Sequence, residues 1–97
     1  MNKYLVTIFI GDLDEYFWEI LPEHRENVNN LLSKEVIETY GVNVERTKGW
    51  ITINARDEDE VVNILESFPI RDYITYDVDQ LFIFDNALGL MPKMVFN

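Results

Sequence analysis

The sequence predicts an α+β chain in strand–helix–strand–strand–helix–strand order, with a four-stranded antiparallel sheet and both helices on one face. Two observations carry this. Residues 65–81, LESFPIRDYITYDVDQL, hold a helical apolar stripe that stops at Phe68-Pro69 and gives way almost at once to an alternating strand. That unit is the last of four such transitions, and together they set the order of elements.

The first strand is residues 4–10, a short run rich in β-branched and aromatic residues that ends at Gly11-Asp12. Asp12 or Asp14 then caps a short helical turn through Tyr16, Phe17, Trp18, Ile20 and Leu21. Pro22 interrupts that turn or opens the next helix, because proline is tolerated at a first helical position. Over residues 23–34 the spacing of Val28, Leu31 and Leu32 marks one buried stripe, leaving His24, Arg25, Glu26 and Asn29 or Asn30 mostly outside. The adjacent rings of Phe17 and Trp18 cannot both face one core. Either one closes a pocket mouth, or both pack against the first long helix and a neighbouring subunit.

Residues 36–44 and 50–55 read as the second and third strands. Arg46-Thr47-Lys48-Gly49 joins them as a hairpin in which Gly49 is able to take positive φ. Asp57 begins the second helix with Glu60 three positions on, a capping-box spacing whose acidic first turn suits the helix dipole. Val61, Val62, Leu65 and Phe68 form its buried stripe, and Pro69 stops it. Residues 74–84 are expected as the fourth and longest strand.

Alternation assigns the sheet faces. Ile51, Ile53, Ile74, Tyr76 and Val78 are expected under the helices. Trp50, Thr52, Asn54, Thr75, Asp77 and Asp79 fall on the other face, which is too apolar for water and too polar for a dry core. A second sheet across a wet interface resolves that conflict, so a homodimer or higher homo-oligomer is expected.

At 97 residues the chain is expected to be one domain, 1–97, whose residues 85–97 form a tail. Residues 86–97 include Leu88, Leu90, Met91, Met94, Val95 and Phe96 with Lys93 as the single charge, and are expected to pack on a partner subunit. There is no cysteine, so disulfides and thiolate metal sites are excluded and a reducing, cytoplasmic location fits. No signal peptide and no apolar run long enough to span a bilayer is seen. Eighteen acidic against eight basic residues give a net charge of -10, which argues against nucleic acid and anionic membranes as partners.

The order of elements, residues 61–81 with their LESFPI ending and ITYDVD strand, and residues 21–29 (LPEHRENVN) resemble the muconolactone isomerase-like group of dimeric α+β barrels. The third strand followed by an acidic helix start agrees, and the resemblance covers most of residues 3–84. It implies a ferredoxin-like fold whose sheet pairs with a second sheet. It also implies a cleft for small aromatic or lactone-type molecules, and possible cofactor-free isomerisation by a proton shift.

Such a shift needs a base near the substrate carbon and a donor for the developing enolate oxygen. Asp77 and Glu38 are the candidate bases, since a strand carboxylate in an enclosed space has its pKa raised. Tyr40, Tyr73 and Tyr76 are candidate hydroxyl donors, and Trp50 and Thr52 complete the candidate ligand-binding set. Against this, Asp77 serves equally as a charge in a hydrated subunit interface, paired with Arg46 or Arg71, and the aromatic residues as interface anchors. His24 is the only histidine and reads as a surface residue with no partner for a metal site; no cofactor is expected. Ser33 and Ser67 lack a nucleophile context, the glycines form no phosphate loop, and residues 57–60 do not have a calcium-loop pattern. The competing readings are a non-catalytic oligomerisation module with no small-molecule substrate and, more distantly, a haem- or quinone-type monooxygenase.

Overall fold

The structure, a computed structural model, describes residues 1–87. Its elements are β1 (Asn2–Ile10), α1 (Glu15–Ser33), β2 (Ile37–Val42), β3 (Lys48–Ala55), α2 (Glu58–Glu66), a 3-10 turn at Arg71–Tyr73, and β4 (Ile74–Gln80). The strands lie in the order β2-β3-β1-β4 and every pairing is antiparallel. This is the ferredoxin-like βαββαβ fold.

Side-chain alternation builds one apolar face. On β1, Tyr4, Val6 and Ile8 are buried, and the register sets Val6 between Ile51 and Val78 and Tyr4 beside Ile53. Phe17 of α1, Val61 and Leu65 of α2, and Phe68 beyond α2 pack onto this face. The expected assignment of the β3 and β4 faces holds throughout.

Helix α1 departs from the sequence reading. It runs unbroken for 19 residues, from its cap at Asp14, which accepts a hydrogen bond from Phe17 N at 3.0 Å, straight through Pro22. An internal proline costs about 3 kcal/mol of helix stability. Burying Phe17 on one side of it and Val28 on the other contributes about 1.5–3 kcal/mol each, enough to offset that cost. The helix ends in a Schellman motif, in which Val36 N donates to Leu31 O and Glu35 N to Leu32 O. Glu35 takes the left-handed position of that motif, at φ 60.

Helix α2 begins at the expected cap, with Glu60 N donating to Asp57 Oδ1 at 2.9 Å. The Glu60 carboxylate turns to Arg56 Nε rather than back to the cap. Strand β4 stops at Gln80 instead of reaching residue 84. Leu81 N still donates to Lys3 O, after which the chain leaves the ladder and crosses toward β2. The Phe84 ring lies 4.7 Å from Lys3 Nζ, and Asn86 Nδ2 donates to Glu38 Oε1 at 3.3 Å. The tail from residue 88 onward, expected on a partner subunit, lies outside the described residues.

The β2–β3 hairpin also differs from expectation. Its positive φ falls on Arg46, at 60, and no glycine has one. Gly49 lies inside β3, where an added Cβ would come 3.0 Å from the carbonyl oxygen of Gly41. Glycine is needed there for close approach of two strands, not for a turn. Among the described residues no helix is long and apolar enough to cross a membrane.

Candidate functional site

The spacing of Phe17, Leu21, His24 and Val28 continues one stripe through Pro22 and turns His24 inward. His24 is 1% exposed, which corrects its assignment to the surface. Its ring meets Phe68 edge-on at 5.1 Å between centroids, and its Nε2 is 2.9 Å from the hydroxyl of Tyr40 on β2. Tyr40 faces the helices because β2 carries a bulge between Ile37 and Thr39 and then pairs Tyr40 with Ile51.

These two side chains line a cavity of about 180 Å³ between α1 and the sheet. Ile10, Leu13, Leu21, Val42 and Ile70 give it apolar walls, and the rings of Phe17 and Trp18 also line it. Phe17 is buried and Trp18 half-exposed, their rings meeting edge-to-face at 5.3 Å between centroids. The adjacent aromatics thus divide between core and cavity rim. Arg25 and Arg46 complete the lining, both on exposed residues, so the cavity's charged side is its solvent side.

Burial drives the His24 pKa down to about 4, and the positive charge of Arg25 adds to this. The imidazole is therefore neutral at neutral pH, and its Nδ1 is buried with no hydrogen-bond partner. Whichever tautomer is present, one ring nitrogen is left over. If Nε2–H donates to Tyr40, Nδ1 keeps a free lone pair and the Tyr40 O–H is free to donate elsewhere. If Tyr40 donates, Nδ1–H is an unsatisfied donor. Burial pushes the Tyr40 phenol up, with Arg25 opposing it, so the hydroxyl stays protonated. Buried polar groups without partners are rare in folded proteins, and among the described residues Asn27 Nδ2 is the other one.

The residues singled out from the sequence divide between two faces. Tyr40 and Tyr76 are on the helix side, but Tyr76 donates to Glu66 Oε2 at 3.0 Å and does not line the His24 cavity. Tyr73 donates to Asp14 Oδ1 at 2.7 Å, which pushes its pKa up to about 12. Trp50, Thr52 and Asp77 are on the open face. Thr52 is buried and shares a 2.7 Å hydroxyl contact with Thr39.

Glu38 pairs with Lys3. Asp77 has no ion pair among the described residues: Arg46 lies over Trp18, while Arg71 reaches Glu66 and Asp72. Glu38 and Asp77 stand on opposite edge strands, about 14 Å apart across three strand spacings, so one protomer does not bring them onto one substrate atom. Among the described residues no group of three or more His, Asp or Glu side chains is placed to hold a metal ion.

No protein-family model matches this sequence, and no curated protein does. Among solved structures the fold is similar to that of 5-chloro-2-hydroxyhydroquinone dehydrochlorinase (TftG) from Burkholderia phenoliruptrix AC1100, in complex with 2,5-dihydroxybenzoquinone. The TM-score is 0.55 at 15% identity, covering 88% of this chain and 97% of that one. At that identity the likeness is one of fold.

Proposed function

We propose that this protein binds a small single-ring molecule in the cavity between α1 and the sheet, and acts on it by a cofactor-free proton shift. The observation that carries this is the cavity itself, in which buried His24 is held against half-buried Tyr40, with apolar walls on one side and Arg25 and Arg46 on the other. A cavity of about 150 Å³ suffices to hold benzene. The 180 Å³ here therefore suits one six-membered or lactone ring with few substituents. The fold likeness to a protein that handles a hydroxylated quinone fits a ligand of this size.

The residues support a simple proton path. Nδ1 is buried in the free protein, so a ligand must first shift α1 to reach it; with Nε2–H donating to Tyr40, His24 Nδ1 then takes a proton from a ring carbon. The Tyr40 O–H, with the guanidinium N–H groups of Arg25 and Arg46, stabilises the oxygen where charge develops. The proton then returns from Nδ1 to a second carbon, giving the isomer. A developing enolate beside the imidazole opposes the effect of burial and raises the basicity of His24 as the reaction proceeds.

A second reading is favoured by the open face. Trp50 is 42% exposed, Phe9 is also exposed, and Phe82 just beyond β4 is 98% exposed. We infer that this face pairs with a second copy, with Asp77 as a charge in that interface. A module built only to assemble would need nothing more.

The test is a thermal-shift panel of small lactones, quinones and aromatic acids on protein of known oligomeric state. Binding in the cavity gives a ligand whose stabilisation grows with concentration and is lost in Tyr40→Phe and His24→Gln. A flat panel on a folded oligomer gives the assembly reading.

A further inference from the structure

The four arginines of the chain divide sharply. Arg56 is paired with Glu60, and Arg71 with Glu66 and Asp72. Arg25 and Arg46, the two that line the cavity, have no carboxylate partner among the described residues, although acidic residues outnumber basic ones 18 to 8. Each is instead held near an aromatic ring of the same cavity. The guanidinium carbon of Arg25 is 5.5 Å from the centre of the Tyr40 ring, and that of Arg46 is 5.7 Å from the centre of the Trp18 ring. A guanidinium held by a ring keeps most of its five N–H donors free for a planar anion, which a carboxylate partner would occupy, even where one is turned toward the Tyr40 hydroxyl as in Arg25.

Arg46 carries a second mark. Its φ of 60 is left-handed, a conformation that glycine and asparagine adopt more easily than arginine. The turn is fixed around it: Arg46 N donates to Asn43 O at 3.1 Å, and Asn43 Oδ1 accepts from Thr47 N and Lys48 N. The hairpin thus holds an arginine where backbone preference asks for glycine, and places it on the cavity rim.

Building on the cavity reading above, we propose that the ligand is an anion: a single ring bearing a carboxylate or an acidic enol, with its charged oxygens held by Arg25 and Arg46 and its ring lying among the apolar walls. A net charge of -10 repels such a ligand at long range, so its capture depends on these two local charges.

The test measures binding of benzoate and of its neutral isostere benzamide by calorimetry or NMR titration, on wild type, Arg46→Gly and Arg25→Gln. Wild type should prefer benzoate, and each substitution should weaken benzoate by about ten- to a hundred-fold while leaving benzamide little changed, as loss of a charge-assisted hydrogen bond does. Arg46→Gly should do so with a melting temperature equal to or above wild type, since glycine relieves the left-handed backbone; a structural role for Arg46 would not give that combination. Equal binding of the two probes, or benzoate binding that survives both substitutions, overturns the anion assignment and leaves the cavity reading intact. Failure of both probes to perturb His24 overturns both.

Discussion

The Tyr40 hydroxyl lies 2.9 Å from His24 Nε2 and joins an edge-side strand to the middle of a helix in which the sequence contains a proline. This contact ties α1 to β2 and leaves the other ring nitrogen without a partner. Tyr40→Phe should leave His24 with two unsatisfied nitrogens and cost about 1–3 kcal/mol in chemical denaturation. A neutral result would mean that the contact contributes nothing to the fold.

The depressed His24 pKa sets a pH window. An unfolded histidine titrates near 6.5 and the folded one near 4, so between those values the unfolded chain binds the extra proton. Stability is therefore full above about pH 6.5 and falls as pH drops toward 4, by about 3 kcal/mol at most. Carboxylates titrate in the lower part of the same window, so the measurement is the difference between wild type and His24→Gln. The wild type should lose more stability between pH 6.5 and 4, and parallel curves would contradict the burial of His24.

Glu35 takes the left-handed cap position of α1 at φ 60, where glycine is favoured. Glu35→Gly should raise stability by about 1 kcal/mol, read as a higher denaturation midpoint at unchanged slope. Asn54 Nδ2 bonds only the backbone oxygen of Glu35, so the substitution keeps that contact.

Gly49 sits where β2 leaves little room for a side chain on β3. The Cβ of Gly49→Ala would meet Gly41 O at 3.0 Å and Val42 Cγ2 at 3.5 Å. Because the first contact is backbone, the strands must part, at about 1–3 kcal/mol. The shift should also move Tyr40, one residue from Gly41, and so weaken any ligand of the cavity. Unchanged stability and binding would show that the sheet yields there without cost.

The open face carries the assembly claim. Trp50→Glu should lower the molecular mass seen by light scattering while the circular dichroism spectrum stays folded, since like charge joins Asp77 and Asp79 on that face. An oligomer that survives it would place the interface elsewhere.

The fold was legible because its signals are local. Alternation over Tyr4, Val6 and Ile8 and the Asp57 cap each act within a few residues, and the structure keeps both; the helix expected to run to Phe68-Pro69 ends at Glu66, with Ser67 as its cap. The site was less legible. His24 falls on the stripe with Phe17, Leu21 and Val28, but that signal appears only when the helix is read through Pro22, whose cost is outweighed by tertiary burial. Tyr40 was found from its chemistry. Its partner was not, because a bulge in β2 sets which strand residues face α1, and nothing in the local pattern announces one. Arg46 reads in the sequence as an ordinary turn residue, because its positive φ is set by loop closure.

His24 is the single histidine of the chain, so its imidazole signals need no assignment. The most direct measurement is therefore an imidazole nitrogen NMR titration, first with pH and then with benzoate and 2,5-dihydroxybenzoquinone. We expect a ring that stays neutral to below pH 5 in the free protein, and whose nitrogen resonances shift saturably with a ring ligand. An imidazole that titrates near pH 6.5 and ignores every ligand would contradict the buried site at the centre of this account.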